Sequence, residues 1–242
     1  MKNSRRASGN PPWPEDKFIA HLRRVGTTYH DRHPYHVLMN HGKLTRRQLR
    51  GWVANRFYYQ TQIPIKDAAI LSNCPERELR RGWIQRIMDH DGTDTDIGGI
   101  EKWLRLGEAV GLKREELLSQ SRLLPGVRYA VDAYVTFCRT QPWIIAMASS
   151  LTELFAPALM AKRIAAFEKH YPWVKEEGLR YFRGRLTQAP RDAEFTLRLV
   201  VERCRTRELQ DQAVAALKFK CELLWAMLDA MHLAYIPDRK IK

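Results

Sequence analysis

Several polar side chains stand where helical periodicity would turn them inward: Arg56, Gln60, Lys66, Arg86, His90, Tyr134, Glu153, Arg163, Tyr181, Arg185 and Lys220. They come from at least six helical segments, and the cations among them outnumber the anions. A guanidinium or ammonium inside a protein costs several kcal/mol unless it is paired or hydrogen-bonded. Internal pairing can neutralise Glu153 and Asp67, but not the whole set. The remaining positive charge calls for an anionic guest. A small molecule with several carboxylates fits, because each charge-assisted hydrogen bond contributes about 1.5–3 kcal/mol. At a single position the alternative is snorkelling, with an Arg or Lys stem on the core and its head in water. Recurrence along the chain favours a polar cavity, and Lys220 is its least ambiguous member.

The elements that must carry these groups follow from caps, breakers and periodicity. Pro14, Glu15 and Asp16 open a first helix that stops at Gly26. Thr45 and Gln48 have the form of a capping box. The helix they begin carries the stretch from Trp52 to Asp67, in which Trp52, Arg56 and Tyr59 share one face. Pro64 is expected to kink or restart it. A further helix follows Pro75 and ends at Gly92, with Trp83, Ile87 and His90 on one face. His90 there reads either as a functional imidazole or as a residue complementing the helix dipole. Gly98 and Gly99 precede a short amphipathic helix that Gly111 ends, and no strand leads into them as a phosphate-binding loop requires. Residues 113–119 form a turn or two, and Pro125 opens the next helix.

Pro142 is expected to begin one long helix in which Ala146, Ser149, Glu153, Pro157 and Met160 recur on the buried stripe, with Arg163 a turn further on. Pro172 starts another, with Val174, Gly178, Tyr181 and Arg185 on one face, and Pro190 one more. The last helix runs from about Glu208 to Tyr235, with Ala213, Leu217, Lys220, Leu224, Met227 and Met231 along its ridge. No alternating strand pattern or internal repeat is visible. The fold class expected is all-α, a helical bundle around a cationic pocket.

Composition narrows the function classes. The chain has 242 residues, a formal net charge of +14 and 45% hydrophobic residues. The basic residues are spread over every segment, without a zinc finger, a recognisable helix-turn-helix or a Gly/Arg tail. A solvated basic surface, a small polyanionic ligand and nucleic acid are therefore the readings open at this point. No unbroken run of about 18 apolar residues is present, so no membrane span is expected. The N-terminus lacks the apolar core of a secretory signal. Residues 1–13 are expected to be a disordered lead-in and 14–242 a single helical domain. Cys74, Cys138, Cys204 and Cys221 are scattered without metal spacing and are expected to be reduced core residues of a cytoplasmic protein. His30, His33 and His36 have a spacing that could seat a metal, but Pro34 interrupts it and no carboxylate follows as in H-E-x-x-H. There is no nucleophile elbow, phosphate-binding loop or dinucleotide fingerprint.

A set of co-linear blocks carries more information: H-P-Y-H (33–36), G-W-V-A-N-R-F-Y-Y-Q (51–60), I-P-I-K-D-A-A (63–69), Q-R-I-M-D-H-D-G (85–92), L-P-G-V-R-Y-A-V-D-A-Y (124–134), S-S-L-T-E-L-F-A-P (149–157) and F-K-C-E-L-L-W-A-M (219–227). With G-G-I-E-K-W-L-R-L-G-E-A-V-G and H-Y-P-W-V-K-E-E-G, they closely resemble the bacterial pyrroloquinoline-quinone synthases from about Tyr29 to Tyr235. The resemblance implies a haem-oxygenase-like bundle, a homodimer and an oxidase needing neither metal nor flavin. The implied reaction is ring closure and eight-electron oxidation of a bicyclic, multiply carboxylated precursor (AHQQ) to pyrroloquinoline quinone (PQQ), with oxygen as co-substrate and hydrogen peroxide released. Partners implied are that small polycarboxylate, a second copy of the chain and the pathway's peptide chaperone, with no nucleic acid and no membrane.

Carried over block by block, the family pocket falls on Tyr29, His30, Arg56, Tyr59, Gln60, Lys66, Arg86, His90, Tyr134, Glu153, Arg163, Tyr181, Arg185 and Lys220. His90, Tyr181, Arg185 and Glu153 are then the expected catalytic set and the others bind substrate. Arg56, Lys66, Arg163 and Lys220 would clamp carboxylates, His90 would serve as base, and Tyr181 with Arg185 would line the oxygen side. Met160 stands where some members have a histidine. The alternatives are a di-metal oxidase or thiaminase-like enzyme using His30, His90 and Glu153, and a basic nucleic-acid binder.

Overall fold

The computed structural model describes residues 10–236, and no strand occurs among them. The α-helices are α1 (Glu15–Arg24), α2 (Pro34–Asn40), α3 (Arg46–Asn73), α4 (Arg77–Asp91), α5 (Gly98–Ala109), α6 (Arg114–Leu118), α7 (Pro125–Thr140), α8 (Trp143–Ser149), α9 (Ala156–His170), α10 (Arg180–Arg203) and α11 (Arg207–Tyr235). Short 3-10 turns connect several of them. The all-α class expected from the sequence is the class observed.

The capping box at the head of α3 is present. The Gln48 amide donates to Thr45 Oγ1 at 3.3 Å, and the Thr45 amide donates to Gln48 Oε1 at 2.8 Å. Buried residues then occur all round α3 rather than on one stripe, which marks a central helix. It packs chiefly against α4, α5 and α7, while α11 lies against α7 and α8, and α10 against α9. Trp103 ties α5 to α3 through an indole N–H donated to the Val53 carbonyl at 3.0 Å. A helix so placed carries several of its polar side chains into the interior, among them Asn55, Gln60, Lys66 and Asp67.

Helix boundaries differ from the sequence expectation around Pro157, Pro172 and Pro190, and Pro64 does not restart α3. The long helix expected from Pro142 is broken: α8 ends at Ser149, a 3-10 turn spans Ser150–Leu154, and α9 starts at Ala156. Pro157 has no N–H for the Glu153 carbonyl, and its ring crowds that position, which costs a continuous α-helix about 3 kcal/mol and here goes with a break. Pro64 and Pro190 behave oppositely, lying within the unbroken α3 and α10. Burial on both sides of each, with Ile63, Lys66 and Asp67 in α3 and Ala189, Asp192 and Ala193 in α10, outweighs the lost hydrogen bond. The helix expected after Pro172 begins only at Arg180, behind a 3-10 turn at Glu176–Leu179.

The segment Trp143–His170 is long and apolar enough by composition to cross a membrane, although no unbroken apolar run suggested it. However, 67% of its most apolar window is buried within the bundle, the pattern of a core element. Of the lead-in expected over residues 1–13, residues 1–9 lie outside the described residues. Trp13 is held in place: its amide donates to Gln210 Oε1 at 2.7 Å, Gln210 Nε2 donates to its carbonyl at 3.1 Å, and the Arg207 guanidinium covers its ring. All four cysteines are buried and free.

Candidate active site

α3, α4, α10 and the 3-10 turn before α9 converge on a cavity of about 50 Å³ lined by Tyr29, Arg56, Tyr59, His90, Glu153, Tyr181 and Arg185, with Ile63, Met160 and Leu224 among its apolar walls. A second space of about 10 Å³, bordered by His30, His36, Trp52 and Arg163, lies on the other side of Arg56, which lines both. Gln60, Lys66, Arg86, Tyr134 and Lys220 stand behind these walls rather than on them. The structure thus gathers the expected site residues into one region but in two layers.

The position of His90 depends on the glycines that follow it. Gly98 has φ +76° and lies so close to the end of α4 that a Cβ would come 2.6 Å from the His90 carbonyl oxygen. A Cβ on Gly99 would sit 3.3 Å from both the His90 ring and the Tyr181 ring. This pair therefore lets α5 start against the imidazole, a packing role rather than a phosphate-binding one. His90 Nδ1 lies 3.0 Å from the Arg86 carbonyl oxygen. A carbonyl only accepts, so Nδ1 carries the proton and Nε2 presents a lone pair with no partner among the described residues. Burial, reinforced by Arg185, lowers the His90 pKa to about 4 and keeps the ring neutral. Tyr181 is fixed by donating to Gln60 Oε1 at 2.9 Å and by the edge of Trp103 at 4.9 Å. Burial pushes its phenol pKa up, so it remains a hydrogen-bond donor at neutral pH.

Beside His90 the buried charges balance. Arg86 meets Asp192 at 2.7 Å, Glu153 at 3.2 Å and Asp67 at 3.5 Å. Arg185 meets the other Glu153 oxygen at 2.6 Å and Asp192 at 3.7 Å. Lys66 donates to Asp67 at 2.5 Å and to Ser150 Oγ at 2.9 Å. Lys66, Arg86 and Arg185 are thereby matched by Asp67, Glu153 and Asp192. Burial alone would raise the Glu153 pKa, yet Arg185 and Arg86 hold it down to about 2, so it remains a carboxylate. Burial likewise works against charge on Arg86, but its three carboxylates raise its pKa well above the usual value. For Lys66 burial prevails over Asp67 and the pKa is lowered. The cation surplus expected from the sequence is reduced here, because Asp192 turns inward beside the Asp67 and Glu153 already counted.

The surplus that survives is smaller and more sharply placed. Among the described residues no carboxylate pairs with Arg56, Arg163 or Lys220. Lys220 Nζ has no hydrogen-bond partner and lies over the rings of Tyr134, at 3.4 Å, and Tyr59, at 4.2 Å. Burial, helped by Lys66 and Arg56, lowers its pKa well below that of an ordinary lysine. Arg56 stacks 3.8 Å above Tyr59. Arg163 covers Trp52 at 4.8 Å, and burial together with Arg56 lowers its pKa to about 9. Its Nη2 donates to His36 Nε2 at 3.1 Å, while His36 Nδ1 lies 3.0 Å from the His30 carbonyl oxygen. That pair of contacts fixes His36 as the Nδ1-protonated tautomer and makes it a rest for Arg163. His30, His90 and Glu153 do not form a metal cluster: His30 lines a different space, and among the described residues no three His, Cys, Asp or Glu side chains are grouped so as to hold a metal ion.

Sequence reasoning missed Asp192 and gave His36 no role beyond the histidine spacing. Asp192 follows Arg185 by two helical turns and so shares its face, a signal hidden by breaking the helix at Pro190. His36 carries no such signal, because its partner Arg163 is distant in sequence. Ser149 and Ser150, which meet Tyr134 Oη at 3.2 and 3.4 Å, were equally unassigned.

Residues 19–230 match the profile of the TENA/THI-4/PQQC family, and the chain belongs to that family. Among solved structures, a haem-oxygenase-like domain from Shewanella denitrificans superposes with TM-score 0.73 at 16% identity, covering 91% of each chain. A TenA homologue from Pseudomonas syringae does so with TM-score 0.70 at 15% identity, covering 93% of this chain and 98% of the other. These establish the fold. Much nearer in sequence are proteins named pyrroloquinoline-quinone synthase. The Cronobacter sakazakii protein is 59% identical, over 93% of this chain and 89% of its own length. Those of Pseudomonas aeruginosa and Acinetobacter baylyi are 57% and 56% identical, each over 92% of this chain and 89% and 88% of their own lengths.

Proposed function

We propose that this protein performs the last step of pyrroloquinoline quinone biosynthesis, the oxygen-dependent ring closure and eight-electron oxidation of a bicyclic tricarboxylate precursor to the quinone, with release of hydrogen peroxide. The observation that carries the reading is the pairing of an unshared His90 Nε2 lone pair with inward-facing cations, the half-buried Arg56 and the buried Arg163 and Lys220, that have no carboxylate of their own among the described residues. The names borne by relatives more than 50% identical support the same reaction.

Arg56, Arg163 and Lys220 receive the substrate carboxylates, which orients the ring system and lowers the entropic part of the barrier. His90 Nε2 accepts the proton released as the ring is oxidised. The negative charge of the bound substrate raises the His90 pKa from about 4 toward neutrality, so the imidazole can hold that proton. Tyr181 and Arg185 flank His90: Tyr181, its O–H donated to Gln60, walls the cavity, and Arg185 presents a fixed guanidinium toward it, where charge growing on reduced oxygen is stabilised. Glu153 holds Arg86 and Arg185 by one oxygen each and keeps both forks oriented. The electrons leave the substrate itself and oxygen accepts them. A cavity of about 50 Å³ holds little more than a water or two, so binding requires the walls around Met160 and Leu224 to move apart, as lids commonly do. A homodimer that acts without a resident metal or flavin belongs to the same proposal.

The test is to incubate the purified protein with the precursor in air and follow quinone absorbance and peroxide. The wild type is expected to produce both. His90→Ala is expected to lose product formation by about 10²-fold or more, and Arg185→Ala by a comparable factor. Normal turnover by both variants would remove these assignments. Absence of product from the wild type would remove the reaction.

A further inference from the structure

Tyr29 lines a second, much larger depression on its outer side. This space of about 460 Å³ is bordered by Arg23 and Gly26 near the end of α1, by Asp31 and Arg32 in the following turns, and by Phe155 and Lys162 around the start of α9. Its size is that of a pocket for a drug-sized ligand, whereas the inner cavity at about 50 Å³ is not. Arg23, Arg32 and Lys162 are all exposed. None of the three pairs with a carboxylate among the described residues, whereas Arg105, Arg114, Arg122 and Arg183 do. Asp31 is the one carboxylate on the rim. The wall between the two spaces is thin: the Tyr29 and Phe155 rings lie 5.4 Å apart, and Gly26 packs so closely on Phe155 that a Cβ there would come within 2.7 Å of the ring.

We propose that this depression is an outer binding site for the polycarboxylate substrate, an antechamber where it is captured before it passes Tyr29 and Phe155 to the inner cavity. The argument rests on the reading of the substrate as a small polyanion. Unpaired cations in a concave site focus field lines and raise the local concentration of an anion, an effect that salt weakens. Arg23, Arg32 and Lys162 hold the ligand loosely and Asp31 limits its residence. The partly desolvated cations Arg56, Arg163 and Lys220 then draw it inward. Because Tyr29 borders both spaces, it touches the ligand at each stage.

The experiment compares wild type with the triple variant Arg23→Gln, Arg32→Gln, Lys162→Gln, whose changes are all on exposed side chains outside the inner cavity. Association of the precursor is followed under nitrogen by stopped flow across a salt series, and turnover is then measured in air. The variant is expected to bind about tenfold more slowly at low salt, with a flattened salt dependence, while kcat stays at the wild-type value. Unchanged association and salt slope would overturn the antechamber, as would a loss of kcat equal to the loss of kcat/KM. Binding under nitrogen is read without chemistry, so a wild type that binds but makes no product would count against the reaction proposed above and leave the antechamber standing on its own data.

Discussion

Around Arg86 the buried charges cancel, and around Arg163 they do not. The first region sets Lys66, Arg86 and Arg185 against Asp67, Glu153 and Asp192 within one hydrogen-bonded cluster. The second holds Arg163, Arg56 and Lys220 against aromatic rings and a neutral histidine. Both consist of cations in a helical interior, so position in the sequence does not separate them. The difference lies in whether the protein supplies the counter-charge. Where it does, the cluster is architecture that fixes His90 and Arg185. Where it does not, the fold bears a desolvation cost that a multiply charged anion relieves on binding.

Removing one member of each region should therefore change stability in opposite directions. Asp192→Asn leaves Arg86 and Arg185 short of a buried partner and is expected to destabilise the fold by roughly 3 kcal/mol, read from the denaturant midpoint. A neutral result would mean that the cluster is not structural. Lys220→Met takes an unpaired cation out of an apolar ridge. It is expected to raise stability by about 1–2 kcal/mol while abolishing precursor binding in a calorimetric titration. If Lys220→Met destabilises instead, the division between the two regions is misdrawn.

Acid provides a second contrast. His90 has its folded pKa depressed to about 4 from an ordinary 6.5, and burial depresses His30 and His36 in the same direction. A depressed imidazole contributes its stability above the unfolded pKa and loses it as pH falls through the folded one. Between pH 6.5 and 4 the unfolded chain therefore takes up more protons, and the His90 share alone amounts to about 3 kcal/mol. Glu153, held near 2, sustains the balanced cluster until the pH is much lower. Denaturation curves across this range should show stability falling first in the histidine window. Bound precursor should shift that loss, because an anion beside His90 raises its folded pKa. The smallest effect expected is that of Gly99→Ala. Its Cβ would press on both the His90 and Tyr181 rings at 3.3 Å, lowering kcat several-fold with little change in melting temperature. A variant with unaltered kcat would show that this close approach does not set the catalytic geometry.

How much of this was legible beforehand depended on whether a signal was local. The capping box at Thr45, the end of α4 at Gly92 and the ridge of α11 all rest on contacts a few residues apart, and all appear where periodicity placed them. The prolines did not read as reliably. Pro157 breaks a helix and Pro190 does not, because the outcome depends on the packing on either side. That one boundary concealed Asp192 and led to an overcount of unpaired cations.

The sequence by itself determined that the chain is helical and that charged residues occupy buried helix faces, since a repeat of three to four residues carries that information within a single element. Only the tertiary structure decided which of those charges meet a partner. Arg86 reaches Asp192 across 106 positions and Arg163 reaches His36 across 127, and pairing over such separations is set by how the helices pack against one another.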